Sequence, residues 1–191
     1  MTDIILLTAN PAKALELNRL LQDVGFSVTA HPLDTPETGT NLHENALIKA
    51  RAGAALFPHA TVLADDSGLE VDALGGAPGV YSARYAGPEK SDQRNMEKLL
   101  HELRHATDRS AQFRTVLALI ANGQEHVFEG IVRGTIISEQ RGSQGFGYDP
   151  VFVPNGHTQT FAEITATEKN AISHRARALE KLVAFLAQRK A

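Results

Sequence analysis

Cysteine is absent from this chain, which excludes disulfides and thiolate metal sites. An excess of either charge is nearly absent too. Lys and Arg number 19 against 22 Asp and Glu, a formal net charge of −3 at pH 7. Such a balance exerts no global attraction on nucleic acid or an anionic membrane, so a polyanionic ligand would need cations gathered locally. Long hydrophobic runs are missing as well. The apolar segment Ile4–Leu7 behind the N-terminus is far shorter than a signal peptide or a membrane span, and a cytoplasmic protein is expected. There is no internal repeat, low-complexity tract or linker. What remains is 191 residues, 42% hydrophobic and 21% charged, enough to build one large domain or two small lobes with a substantial core.

Ile4 to Thr8 reads as a buried strand, broken at Asn10-Pro11. Proline suits a first helical position, and Leu17, Leu20, Leu21 and Val24 continue an apolar stripe over a helix from Pro11 to about Asp23. A short strand at 26–30 and a polar loop at 31–41 follow. Thr40 or Asn41 then caps a helix to about Leu56, packed through Ala46, Leu47, Ala50 and Ala54. Two apolar runs flanking Asn122-Gly123 predict a hairpin. Ile172, Ala176, Leu179, Val183 and Leu186 predict a long C-terminal helix. Early strand–helix alternation with a later hairpin indicates an α/β protein with a mixed sheet.

The densest chemistry lies at Asp65-Asp66-Ser67-Gly68. An apolar run from Thr61 delivers two adjacent carboxylates to what reads as a hairpin turn, and a second strand leaves from Leu69. Acids there can hold Mg²⁺ or take a proton from water, yet Asp, Ser and Gly are also ordinary solvated turn residues. Thr8 to Lys13 spans a strand end and a helix start, where backbone N–H groups and the helix dipole favour phosphate; such junctions are also common structural turns. Asn45 and Lys49 share a helix face, which matters only if that face meets Asp66. In Gly145-Phe146-Gly147-Tyr148-Asp149-Pro150, glycines let an aromatic ring reach a flat ligand, and Asp149 could accept from a base edge. Lys169 and Ser173-His174-Arg175 stand near a helix start, with either Ser173 or the Thr165/Glu168 pair as its cap.

His101-Glu102-Leu103-Arg104-His105 matches the zinc-peptidase pattern H-E-x-x-H. The apolar face of that helix is Met96, Leu99, Leu100 and Leu103, so both histidines point to solvent, and a catalytic zinc needs a cleft and a third ligand.

Taken in order, these segments, with Leu74-Gly75-Gly76-Ala77-Pro78-Gly79-Val80-Tyr81-Ser82-Ala83-Arg84-Tyr85, resemble the inosine triphosphate pyrophosphatase family across nearly the whole chain. The resemblance implies one nucleoside triphosphate pyrophosphatase domain over 1–191, an α/β fold with a long mixed sheet flanked by helices, and two lobes about a central substrate cleft. It implies Mg²⁺-dependent hydrolysis of ITP, dITP and XTP to monophosphate and pyrophosphate, which cleanses the nucleotide pool, by a homodimer. Carried onto this sequence, Asp66 is the proton acceptor and a metal carboxylate, with Glu37 as the second. Substrate contacts fall on Thr8, Ala9, Asn10, Pro11, Ala12, Lys13, Lys49, Ser67, Phe146, Gly147, Tyr148, Asp149, Lys169, His174 and Arg175. Among the possible donors to the purine 6-oxo group, the rigid fork of Arg175 leads. His43 departs from the apolar or small residue usual before Glu-Asn-Ala, which bears on local packing alone. A Maf-type nucleotide pyrophosphatase and a nucleotide-binding sensor are the alternatives.

Overall fold

The computed structural model describes residues 3–188. It is an α/β protein with a six-stranded mixed sheet in the order β2-β1-β3-β4-β5-β6. The strands are β1 (Asp3–Leu7), β2 (Ser27–His31), β3 (Thr61–Val71), β4 (Ser110–Ala121), β5 (Gln124–Ile136) and β6 (Phe152–Pro154). The helices are α1 (Pro11–Asp23), α2 (Leu42–Leu56), α3 (Asp92–Glu102), α4 (Ala166–Ile172) and α5 (His174–Gln188). β1 pairs in parallel with β2 and β3, whereas β6 runs antiparallel to β5. The chain divides into two compact units, one of 1–66, 115–130 and 174–191 and the other of 67–114 and 131–173.

The first unit is organised by α1, α2 and α5. Asn10 caps α1, and Leu17 and Leu21 join Ile4, Leu6, Phe26, Leu63, Leu117, Leu119 and the α5 residues Ala178, Leu179 and Leu182 in one core. α2 starts at the Asn41 cap and lies close on β1 through small residues, Ala46, Ala50 and Gly53. A methyl group at Gly53 would overlap the Leu7 side chain. In the second unit Leu69, Val71, Met96, Leu99, Val132, Ile136 and Val151 surround three phenylalanines. Phe113 lies 4.6 Å from Phe152 and 5.9 Å from Phe161 between ring centroids. Asn122 and Gly123, with φ of 52° and 73°, make the tight connection between β4 and β5, as Asn-Gly predicts.

The expected hairpin at Asp65-Asp66-Ser67-Gly68 is not there. β3 runs unbroken from Thr61 to Val71, and both carboxylates sit within it. Gly68 has no positive φ; a Cβ on it would overlap the carbonyl oxygen of Gly79 and come within 3.0 Å of Ser82 Oγ. The glycine therefore serves close approach by a distant segment rather than a turn. The C-terminal helix also departs from expectation. Thr165 and Glu168 form a full capping box at the start of α4, while Ser173 ends α4, and α5 begins at His174.

Candidate functional site

Each unit carries one polar cluster of chemical interest. In the first, β3 presents Asp65 and Asp66 in succession, and strand alternation gives them different partners. Asp65 lies between two cations, 3.7 Å from Lys13 Nζ and 3.7 Å from Arg175 Nε. Arg175 Nη1 also reaches Glu16 Oε2 at 3.3 Å. On the other side, Lys49 Nζ lies 2.6 Å from Glu37 Oε1 and 3.2 Å from Asp66 Oδ1, and donates to the Asp65 carbonyl. The α2 face that carries Lys49 does therefore meet Asp66.

Burial and charge set the ionisation of these groups. Asp66 is only 4% exposed, and burial pushes its carboxyl above the usual carboxylate range despite the opposing pull of Lys49 and Lys13. Its Oδ2 is buried and has no hydrogen-bond partner among the described residues. Burial, reinforced by Arg175 and Lys49, lowers the Lys13 ammonium below the ordinary lysine value against the attraction of Asp65. Lys49 moves the other way. Burial disfavours its charge, but Asp66, Asp65 and Glu37 outweigh that and raise it. Three cations thus meet four carboxylates in this cluster. The surplus carboxylate leaves room for further positive charge.

The turn between β1 and α1 differs in detail from its sequence reading. Asn10 Oδ1 accepts from the N–H groups of Ala12 and Lys13 at 3.0 and 3.2 Å, and Asn10 N donates to Thr8 Oγ1 at 3.1 Å. Ala9 continues from Thr8 into this turn, and Pro11 has no N–H to give. The Ala12 and Lys13 amides are thus engaged by the helix cap, and the cationic groups of this region are the Lys13 and Lys49 side chains.

The second cluster is built on the loop before β6. Lys169, in α4 and only 5% exposed, places Nζ 2.7 Å from Asp149 Oδ2. The same ammonium lies 4.9 Å from the centre of the Phe146 ring. Asp149 Oδ2 also accepts from Phe146 N at 3.1 Å, which turns the loop back on itself. Gly145, at φ 71°, must lack a side chain because a Cβ would overlap that carboxylate. The loop is pinned further along, Gly147 N donating to Asp92 Oδ2 and Tyr148 Oη to the Ser82 carbonyl. Ser67, half-buried in β3, opens this unit.

The sequence-predicted residues therefore separate into two groups. Glu37, Lys13, Lys49, Asp66, His174 and Arg175 belong to the first unit, and Ser67, Phe146, Gly147, Tyr148, Asp149 and Lys169 to the second. Arg175 has partners that its sequence neighbours do not show. Its side chain is 3% exposed and engaged by Glu16 and Asp65, and it is Lys169 that pairs with Asp149. Glu16 was not foreseen, although it follows Lys13 by three residues and so shares its helix face. Asp92 was not foreseen either, and only the folded loop reveals its bond to Gly147. His101 is the penultimate residue of α3 and His105 lies beyond the helix end; both are exposed. They do not form a two-histidine helix face. No helix among the described residues is long and apolar enough to cross a membrane.

A mixed α/β sheet with paired acids inside a strand, a lysine on the adjoining helix and a Gly-flanked aromatic loop places this chain in a class that also accounts for its sequence over residues 4–185: it belongs to the Ham1 family. Among its relatives is the dITP/XTP pyrophosphatase of Bacillus subtilis, 46% identical over 194 residues that span 97% of this chain and 98% of the relative. That of Christiangramia forsetii is 45% identical over 97% of this chain and 99% of its own. Two solved structures are similar throughout. The Ham1 protein of Staphylococcus aureus superposes with a TM-score of 0.86 at 40% identity, covering 98% of this chain and 100% of the other. A HAM1 protein from Coxiella burnetii gives 0.88 at 42% identity with the same coverage.

Proposed function

We propose that this chain is a nucleoside triphosphate pyrophosphatase that hydrolyses dITP, ITP and XTP to the monophosphate and pyrophosphate, with 1–191 acting as a single catalytic domain. The observation that carries the reading is Asp66, a buried carboxylate with one oxygen held by Lys49 and the other without a hydrogen-bond partner among the described residues. Its raised pKa suits a group that accepts a proton. Relatives named dITP/XTP pyrophosphatase, at 42–49% identity, support the substrate class. The chain works as a cytoplasmic homodimer.

The residues fit Mg²⁺. Glu37 and Asp66 already share one cationic group, Lys49 Nζ, and the cluster holds one carboxylate more than its cations. Mg²⁺ favours one or two carboxylates completed by water and substrate phosphates, so Glu37 and Asp66 would hold it. When bound, it supplies positive charge to the phosphate oxygens. Water attacks the α-phosphorus, the bond from that phosphorus to the bridging oxygen breaks, and Asp66 takes the water proton. Lys13 and Lys49 stabilise the charge that builds on the departing pyrophosphate. Thr8, Ala9, Asn10, Pro11 and Ala12 shape the turn that presents Lys13.

The base is read by the second unit's cluster. Phe146 offers a stacking face, and Lys169, held by Asp149, donates to the 6-oxo group of hypoxanthine or xanthine. Adenine presents an amino donor there and leaves the buried lysine unmatched, which penalises ATP. Arg175 holds Glu16 and Asp65, and His174 and Arg175 remain proposed substrate contacts at the start of α5.

Pyrophosphate release from ITP, dITP, XTP, GTP, ATP and dTTP, with and without Mg²⁺, tests the reading. The expected result is equimolar IMP and pyrophosphate from ITP, dependent on Mg²⁺, with little from ATP. IDP with orthophosphate, or binding without turnover, would overturn it; preferred hydrolysis of dTTP would favour the Maf-type alternative.

A further inference from the structure

Asn45 is fully buried in the first turns of α2, beside the small-residue stripe that lies on β1. A polar amide in that position needs a reason. Its Oδ1 accepts the backbone N–H of Gly39 at 2.8 Å. That bond fixes the orientation of the amide, because only the oxygen can accept. Nδ2 is left buried, with no hydrogen-bond partner among the described residues. The arrangement is reciprocal. A Cβ on Gly39 would stand 2.6 Å from Asn45 Oδ1 and 2.7 Å from Glu44 Cβ, so residue 39 must be glycine for the loop to come this close.

The loop tied down in this way carries Glu37. A single residue, Thr38, separates Glu37 from the anchored Gly39, so the two α-carbons are at most ~7 Å apart. One helical turn beyond Asn45, Lys49 meets Glu37 at 2.6 Å. Asn45 and Lys49 thus hold the same loop from one helix face, the first by its backbone and the second by its carboxylate. Thr40 adds a second tie through its N–H to Glu44 Oε2 at 2.7 Å, but that pair is exposed. The geometry points to Asn45 as the positioning residue for Glu37: it fixes the loop backbone so that the carboxylate is already in place for a divalent cation. The inference rests on the assignment of Glu37 as a metal carboxylate.

Mn²⁺ titration of the nucleotide-free protein, combined with hydrogen exchange at the Gly39 amide, tests it without recourse to turnover. Asn45→Ala should expose the Gly39 amide and weaken Mn²⁺ binding by at least about tenfold, the lower end of effects from groups that orient metal ligands. Asn45→Asp keeps the acceptor oxygen and should restore protection of the amide. Gly39→Ala, whose Cβ would push the loop away from the Asn45 amide while leaving residue 45 itself unchanged, should reproduce the loss and stands in for Asn45→Ala if that variant does not fold. A folded Asn45→Ala or Gly39→Ala protein with wild-type Mn²⁺ affinity would overturn the inference, provided Glu37→Gln weakens binding. If Glu37→Gln also binds Mn²⁺ like the wild type, the assignment of Glu37 falls, and the inference with it.

Discussion

The first unit's cluster and the second unit's cluster solve opposite electrostatic problems. Around Asp65 and Asp66, four carboxylates crowd three cations, and burial moves Asp66 and Lys13 towards their neutral forms. Around Asp149, one lysine meets one carboxylate at 2.7 Å, an aromatic ring lies beneath the ammonium, and a backbone N–H completes the carboxylate's contacts. The first arrangement is short of positive charge and suits a site whose ligand arrives with a metal. The second is neutral as a pair and can discriminate by hydrogen-bond direction and stacking. On the function proposed above, triphosphate chemistry and base choice are separable, so variants in one unit should leave the other's property intact.

The largest effect expected is at Asp66. Asp66→Asn should lower turnover by at least about 100-fold, the scale for loss of a group that transfers a proton. Asp65→Asn should lose less, since Asp65 faces Lys13 and Arg175. Steady-state rates on ITP decide it, and an inactive Asp65→Asn beside an active Asp66→Asn would reverse the roles.

Base selection gives the next contrast. Lys169→Ala should lower kcat/KM on ITP by at least about tenfold, or roughly 1.4 kcal/mol, while leaving the low ATP activity nearly unchanged. Arg175→Ala removes a partner from Glu16 and Asp65. It should depress ITP and ATP hydrolysis by similar factors and lower the melting temperature. If Arg175→Ala alters the ITP-to-ATP ratio and Lys169→Ala does not, the division between the units is wrong.

A subtler difference concerns Lys13. Burial lowers its folded-state pKa, so its charge is lost as pH rises through a value below the ordinary lysine range. kcat/KM, which reports the free enzyme, should fall on the alkaline side over that window. Lys13→Arg should move the fall to higher pH, because a guanidinium keeps its proton. An unmoved alkaline limb would exclude Lys13 as its source. The smallest effect belongs to the zinc-like motif. His101→Ala with His105→Ala should leave activity and melting temperature unchanged, since both side chains are exposed.

Local pattern predicted most of the elements. The Leu17/Leu21 stripe of α1, the Asn-Gly connection and the apolar repeat of α5 each depend on neighbours in sequence. Two features depend on partners far along the chain, which local pattern does not reveal. Gly68 resembles a turn glycine beside Asp and Ser, but its absent side chain makes room for Gly79 and Ser82. Arg175 resembles a ligand-reading group at a helix start, but its partners, Glu16 and Asp65, come from other elements. The occupied amides of Ala12 and Lys13 belong to a third kind of case. The same Asn10 that signals a helix start also uses the donors that a helix start would offer to phosphate.

The unbroken course of β3 has a consequence for how this protein can vary. Its pairing with β1 runs from Ile4–Thr61 to Leu7–Ala64, immediately before the two acids. Sliding a strand by one residue moves every side chain to the opposite face. Deleting Ala64 would therefore put Asp66 where Asp65 stood, between Lys13 and Arg175, and bring Ser67 to Lys49. The segment cannot accept a change of length, so insertions and deletions among variants of this chain should collect in loops other than the anchored 37–39 stretch.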